Sequence, residues 1–438
     1  MTDDGPRHPT RPFRLYKTDM SEQLQHITGA KFHDHETKGL YEPAAPPALG
    51  ATAERSSKHN IAETAKIPCF QQWREAAHRI KRYAISNLDK LLVQFERNLA
   101  AKGVTVLWAE NAAEANRLVL HIAREHNVRS VVKSKSMLSE ELELNQVLCE
   151  AGIKPVETDL GEYIVQLAGQ RPVHIVTPAI HMSAEDVGRL FASRLGEPFT
   201  VEHQQLTDIA RRHLRQEYLQ ADMGISGCNF GIADTGTIVI IENEGNAGLS
   251  TATPPVHLVM MGIEKILPSI DYLPVMLNLL ARSGTGQKLT TYTHLIHGPA
   301  PGRKLYVLLL DNGRTNVLAD PPALAALFCI RCGACLNACP VYRRTGGWAY
   351  GWVYPGPIGA ILTPHLVGLD QAGILPFASS LCGACGEVCP VKIDIPHQLV
   401  HMRRRAVSEP SPARSPLEWL TWTLWSWFMC GPRRYRFA

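Results

Sequence analysis

The residues best suited to chemistry are seven cysteines in two short runs. The first reads Cys329-Ile330-Arg331-Cys332-Gly333-Ala334-Cys335-Leu336-Asn337-Ala338-Cys339-Pro340, which is C-x2-C-x2-C-x3-C-P. The second reads Cys382-Gly383-Ala384-Cys385-Gly386-Glu387-Val388-Cys389-Pro390. The first spacing is that of bacterial ferredoxins, in which three cysteines hold one iron–sulfur cluster and the fourth reaches across to a second. Three closely spaced thiolates can converge on three corners of a cubane. The proline after the fourth cysteine turns the chain and keeps that cysteine out of the first shell. The predicted sets are Cys329, Cys332, Cys335 and Cys389 for one [4Fe–4S] cluster and Cys339, Cys382 and Cys385 for the other. The chemistry implied is electron transfer.

The second set is one thiol short, because a full repeat would put a cysteine where the chain has Ser379. Ser379, Ser380, a distant thiol, water, a partner's side chain or nothing (a three-iron cluster) all remain open as the fourth ligand. Zinc is the competing reading. Four-cysteine zinc sites usually carry two separated C-x2-C pairs and do not need a triple followed by a fourth cysteine and proline. The spacing therefore favours iron–sulfur.

The elements that must position these cysteines follow from the rest of the chain. Its 438 residues are enough for more than one domain, and 45% apolar with 20% charged residues is ordinary for a globular protein. A formal charge of +4 over this length gives no argument for nucleic acid. Cys69, Cys149, Cys228 and Cys430 are scattered, so no disulfide framework is visible, and clusters with free thiols fit a reducing cytoplasm. Residues Met1 to Lys17 lack the apolar stretch of a signal peptide, and no run approaches the ~18 apolar residues of a membrane span. The chain is expected to be cytoplasmic.

Residues 1–69 read as an extended, partly disordered arm, with Pro43–Gly50 as a linker-like patch. Apolar residues at helical spacing predict one or two helices over Trp73–Ala101. Strands are predicted at Val104–Trp108, Ser130–Val132, Pro155–Glu157, His174–Thr177, Thr237–Glu242, His257–Met261 and Leu305–Leu310. Helices are predicted between them at Ala112–His126, Glu140–Ala151, Ala184–Leu195, Thr200–Leu219 (capped by Thr200) and Leu273–Arg282. Strands alternating with helices give an α/β domain over 70–315, with a mainly parallel sheet covered on both faces. Pro321-Pro322 opens a cluster domain over 320–405, whose insertion Gly346–Leu366 is glycine-rich and aromatic: a packed cover, or a contact surface for a redox partner. Residues 406–438 form a linker and a Trp-rich tail. That tail reads as a 14-residue helix docked on the protein itself or a partner subunit, or as an interfacial membrane anchor.

No P-loop, G-x-G-x-x-G, G-x-S-x-G or H-E-x-x-H motif is present. Polar clusters follow strands at Lys133-Ser134-Lys135-Ser136 and Glu157–Glu162, and a third spans Asn229–Gly236 and Glu242–Asn246. Ligands of open α/β sheets bind beyond the carboxyl ends of strands, which suggests a pocket for a small anion. Lys133, Lys135, Asp234 and Thr237 are the candidate contacts; the bland alternative is polar turns capping helices.

Lys133-Ser134-Lys135-Ser136-Met137, the run Glu157–Gln166, Pro178-Ala179-Ile180-His181, Asp234-Thr235-Gly236-Thr237-Ile238 and the two cysteine motifs together resemble the lactate-utilisation protein B (LutB) family over residues 70–400. The resemblance implies a LUD-type α/β domain similar to the NagB/RpiA/CoA-transferase group, followed by an α-helical ferredoxin-like domain with two clusters. It also implies a role in oxidising L-lactate to pyruvate with LutA-like and LutC-like partners, this component being the electron carrier. The absent cysteine at 379 then looks like a family trait. A catalytic subunit is the rival: it would bind a hydroxy acid in the α/β domain or at an open cluster iron. A redox sensor or assembly platform is a third possibility.

Overall fold

The computed structural model of the protein describes residues 45–409, 411 and 416–436. Among the described residues ten strands run in chain order: β1 Thr105–Ala109, β2 Ser130–Lys133, β3 Lys154–Glu157, β4 Met223–Gly227, β5 Phe230–Ile232, β6 Thr237–Glu242, β7 Val256–Gly262, β8 Ile266–Leu267, β9 Tyr292–Ile296 and β10 Lys304–Leu310. Six of them form an all-parallel sheet in the order β1-β10-β7-β4-β2-β3. β7 is buried along its whole length, as a continuous apolar run between two covered faces requires. Its alternate residues enter different cores. Leu258 and Met260 meet Val119, Ile122 and Leu148 on one face, while Val259 and Met261 meet Leu92, Phe95 and Leu99 on the other. The expected α/β class, with a parallel sheet and a helical cluster-bearing region after it, is what the chain adopts.

A second sheet, order β8-β5-β6-β9, was not anticipated. β6 pairs antiparallel with β5 and β9, so its carboxyl end, Glu242, returns toward the first sheet's ligand edge. β4 was missed too, because Met223-Gly224-Ile225-Ser226-Gly227 carries two glycines. Gly224 is required there: a Cβ would stand 1.8 Å from the Ser250 carbonyl oxygen.

Several expectations are corrected. His174–Thr177 is not a strand. The His174 ring accepts from the backbone N–H groups of Val176 at 3.0 Å and Thr177 at 3.1 Å, which closes a turn and removes those donors from any ladder. Thr200 does not cap the following helix, which spans His203–Gln220 with Glu202 as N-cap; the Thr200 hydroxyl instead accepts from Glu202 N–H at 3.2 Å. The helix Leu160–Ala168, capped by Asp159, adds an unpredicted element after β3.

Of the N-terminal arm, residues 1–44 lie outside the described residues. Ala45–Ala65, expected as linker and arm, is a helix. Its prolines fall in the first turn, where the missing N–H costs nothing. The helix docks: Leu49 and Ala53 are buried, and the buried Asn60 amide donates to the carbonyls of Arg282 (3.1 Å) and Ser283 (2.9 Å).

The cluster-bearing region shares one apolar core with the second sheet and the Leu273–Thr285 helix. Phe230, Ile232, Val239, Leu273, Met276 and Leu279 pack with Leu327, Phe328, Leu336, Ile358, Ile361 and Leu399. The aromatic insertion packs as a cover: Tyr350 and Tyr354 are buried, and the Trp348 indole donates to the Arg171 carbonyl at 2.9 Å. Part of the linker before the tail lies outside the described residues. The tail forms a helix, Pro416–Met429, with no buried residue, so it does not dock on the surface formed by the described residues. Being apolar nearly all the way round, it has no single face to offer a groove. No helix among the described residues is long and apolar enough to cross a membrane.

Candidate metal centre and adjoining cavity

The first cysteine run is a loop built by two left-handed residues. Arg331 (φ 62°) and Gly333 (φ 81°) fold the backbone back, and a short helix, Ala334–Ala338, starts behind them. This winding lets Cys329, Cys332 and Cys335 line one small cavity, and Cys389, from the second run, completes its thiol lining. The remaining walls include the apolar side chains of Ile330, Ile358, Val391, Ile393 and Ile395. Backbone N–H groups aim at the sulfurs: Arg331 N–H donates to Cys329 Sγ at 3.4 Å and Ile393 N–H to Cys389 Sγ at 3.3 Å. The Phe70–Ser86 helix secures the second loop, since the Arg74 guanidinium donates to the carbonyls of Cys389 (2.7 and 3.0 Å) and Glu387 (2.7 Å).

Cys339 leaves the first cavity. It caps the Pro340–Thr345 helix, accepting from Tyr342 N–H at 3.5 Å, and it lies within electrostatic reach of Cys382; Cys385 feels both. Within the second set Cys339 and Cys385 are buried whereas Cys382 is exposed, so that set reaches the surface at one thiol. Burial pushes the Cys385 thiol up to about 12 and that of Cys389 to about 11. These thiols give up their protons only when a metal replaces them. Among the described residues, no group of three His, Cys, Asp or Glu side chains is arranged to hold a single metal ion. Four thiols around an apolar void, with N–H groups donating to sulfur, fit a [4Fe–4S] cluster.

A second, larger cavity of about 320 Å³ opens beside the first, beyond the carboxyl ends of β2, β4 and β7. Its walls come from both halves of the protein: Lys135 and Asp159 from the six-stranded sheet's loops, Glu242 and Glu244 from the end of β6, Glu264 and Lys265 from the end of β7, and Arg331, Cys332 and Tyr354 from the cluster region. Gly284 permits the close approach of the two halves, since a Cβ there would stand 2.6 Å from the Cys332 carbonyl oxygen. The cavity therefore adjoins a cysteine of the first set.

The anion contacts expected from sequence sort sharply. Lys133 is wholly buried and spoken for: its ammonium meets Glu157 at 2.6 Å, Glu140 at 2.9 Å and the Ser139 hydroxyl at 2.7 Å. Burial opposes its charge, and the two carboxylates overcome that and hold it protonated. Asp234 and Thr237 lie at the opposite end of β6 from the cavity. The Thr237 hydroxyl bonds to Thr235 at 2.7 Å and His297 at 2.9 Å, and the turn is clipped to the Leu88–Ala100 helix by Asn98, which donates to the carbonyls of Ala233 and Asp234. Only Lys135 of the four faces the cavity. Its ammonium makes no hydrogen bond and has only a distant carboxylate, Glu162, at 3.7 Å.

Two further cations were not singled out from the sequence. Arg331 stacks over the Tyr354 ring at 4.2 Å and reaches Glu264 at 3.5 Å, yet its Nε and one Nη are buried without a partner. Lys265 is pushed down to about 8 by burial and by Arg331, against the pull of Glu264. Lys265 lies where a rule the sequence offered applies, since Glu264-Lys265 follows a dense apolar strand and strand ends of this kind bear ligands, whereas Arg331 comes from the first cysteine loop. Behind them, Arg314 anchors the wall, bonded to Glu264 at 2.6 Å and to Glu141 at 2.7 and 3.1 Å, while the Tyr354 hydroxyl donates to Glu141. On the opposite wall, burial and Asp159 push the Glu244 carboxyl up to about 7.

Residues 92–311 match the family model of the LUD domain, and residues 325–393 match that of the 4Fe-4S dicluster domain. A lactate utilization protein B from Bacillus pumilus is 39% identical over 420 residues, covering 94% of this chain and 88% of its own. Lactate utilization protein B from a Geobacillus species is 42% identical over 390 residues, covering 87% and 82% respectively. Likeness of this extent, spanning both the sheet domain and the cysteine-bearing region, means that the chain belongs to the lactate utilization protein B family.

Proposed function

We propose that this protein is the iron–sulfur electron-transfer subunit of a system that oxidises L-lactate to pyruvate together with LutA-like and LutC-like proteins. Cys329, Cys332, Cys335 and Cys389 hold one [4Fe–4S] cluster; Cys339, Cys382 and Cys385 hold a second. Each cluster, when bound, takes up and returns one electron, so a pair matches the two electrons that lactate releases. The protein's own part is to hold and tune. The apolar wall of Ile330, Ile358 and Ile393 keeps water from the first set, and backbone N–H groups stabilise the thiolates. The exposure of Cys382 gives the second set a route to a partner. The observation that carries the reading is the apolar cavity lined by four thiols, reinforced by the names of the relatives. Anaerobic purification with iron and sulfide analysis tests it: about eight irons per chain are expected from two cubanes. The clusters should be reduced by lactate only when the partners are present. Zinc in place of iron, or no metal, would overturn it.

One observation favours a second reading, in which this subunit also binds the hydroxy acid. Lys135, Lys265 and Arg331 face a cavity that includes Cys332 in its lining. A carboxylate there would satisfy donors that are otherwise unpaired, and Glu244 on the far wall offers a proton acceptor. Lactate added to the isolated, cluster-loaded chain would then perturb the first cluster's spectrum; a pure carrier would show no change.

A further inference from the structure

The two cysteine runs are one loop used twice, and the second use extends further back than its cysteines. Set in register, Cys329-Ile330-Arg331-Cys332-Gly333-Ala334-Cys335 aligns with Ser379-Ser380-Leu381-Cys382-Gly383-Ala384-Cys385. The backbones agree at the positions that are hardest to match by accident. Arg331 and Leu381, both non-glycine, are left-handed at φ 62° and 57°, and Gly333 and Gly383 follow at 81° and 88°. A side-chain-bearing residue in that region is uncommon and is held only by its surroundings. Each loop then starts a short helix, Ala334–Ala338 and Ala384–Glu387.

The agreement reaches the ligand atom. Arg331 N–H donates to Cys329 Sγ at 3.4 Å, and Leu381 N–H donates to Ser379 Oγ at 3.1 Å, the same i to i+2 bond at the same register position. The serine oxygen thus takes the place in its loop that a ligating sulfur takes in the other. A second feature marks this serine. The Arg403 guanidinium donates to the Ser379 carbonyl at 2.6 Å and to the Pro376 carbonyl at 2.9 Å, and lies over the Phe377 ring at 5.3 Å. The guanidinium fixes the residue through its carbonyl, and the Leu381 N–H already on the hydroxyl oxygen favours an anionic oxygen there.

We propose that Ser379 Oγ is the fourth protein ligand of the second cluster. The Oγ–Fe bond forms as the hydroxyl releases its proton to solvent, with no change of oxidation state. This rests on the reading that Cys339, Cys382 and Cys385 hold that cluster. An alkoxide is a harder, stronger donor to ferric iron than a thiolate, so it holds the second cluster at a lower potential than a cysteine in the same place would.

The test uses the full-length chain, loaded anaerobically, with EPR and iron analysis of wild type, Ser379→Ala, Ser379→Cys and Ser380→Ala. Ser379→Ala should lose the corner iron on mild oxidation, falling from about eight irons to about seven and gaining a three-iron EPR signal, while the first cluster's signal is untouched. Ser379→Cys keeps a ligand and a foldable loop. It should raise the midpoint potential and change the EPR spectrum of the second cluster alone. Ser380→Ala should resemble wild type. A second cluster with unaltered spectrum, potential and iron count in Ser379→Cys overturns the assignment. Wild-type protein with one cluster only overturns the underlying two-cluster reading as well, and so separates the two failures.

Discussion

Replacing Arg314 by Met should cost the fold several kcal/mol, and the cost should depend on pH in a defined direction. Arg314 is 2% exposed and ties Glu141 and Glu264, themselves 0% and 2% exposed, to the floor of the large cavity. Truncating one partner of such a buried ionic group leaves charges stranded, typically at about 3–5 kcal/mol. Glu264 gives an independent figure. Burial alone would raise its pKa, but Arg314, Lys265 and Arg331 outweigh burial and hold it at about 2, against 4.5 for an ordinary glutamate. At ~1.36 kcal/mol per pH unit, that difference is worth about 3 kcal/mol at neutral pH, shared among the three cations with Arg314 the largest contributor. Because the folded value is depressed, this contribution is complete above about pH 5 and drains away as pH falls from 4.5 toward 2. Urea unfolding at pH 7 should therefore give Arg314→Met a loss of about 3 kcal/mol or more, narrowing as the buffer is taken to pH 4. Adding Glu141→Gln and Glu264→Gln to the same variant should recover most of it, since neutral amides need no counter-ion. A loss under about 1 kcal/mol at pH 7, or no recovery in the triple variant, would refute the reasoning.

Other outcomes follow from the same geometry. Lys135→Met and Lys265→Met should each weaken binding of lactate or pyruvate by about tenfold or more, the worth of a charge-assisted hydrogen bond, with iron content unchanged; calorimetry that finds equal affinities would remove the carboxylate site. Arg74→Ala removes the donors to the Cys389 and Glu387 carbonyls, and should make the first cluster lose iron faster in air while the second bleaches at its usual rate. A chain truncated after residue 409 should unfold at the same temperature as the whole, because the Pro416–Met429 helix buries nothing. It should also be less prone to self-association by light scattering, since Trp419, Trp422, Trp425 and Trp427 are each more than half exposed.

What the sequence disclosed, and what it hid, depends on the reach of the interaction involved. Cysteine spacing is local, so the two loops could be read directly, as could β7 and β10, whose apolar runs need no partner to be recognised. β4 could not, because its glycines are explained only by distant residues, Ser250 pressing on the backbone at Gly224 and Ser136 standing against Gly227. β9 has only exposed and half-buried residues and no apolar run. Lys133 and Lys135 are equivalent in the sequence, two residues apart after the same strand; only the fold puts Glu140 and Glu157 on one and leaves the other facing a cavity. The motif around Thr237 suggests a site, but chain direction puts the residue at the opposite end of β6 from the cavity. The basic wall of the cavity draws Lys135, Lys265 and Arg331 from three distant segments. No window along the chain contains them together.

The core that Phe230, Ile232 and Met276 share with Leu336, Ile361 and Leu399 has a practical implication. Cutting the gene between sheet and cysteines would strand each half with a raw apolar flank, so neither fragment should survive as a working module. Recombination could shuffle this unit only whole, and oxygen damage that empties the metal loops would loosen the neighbouring sheet with them.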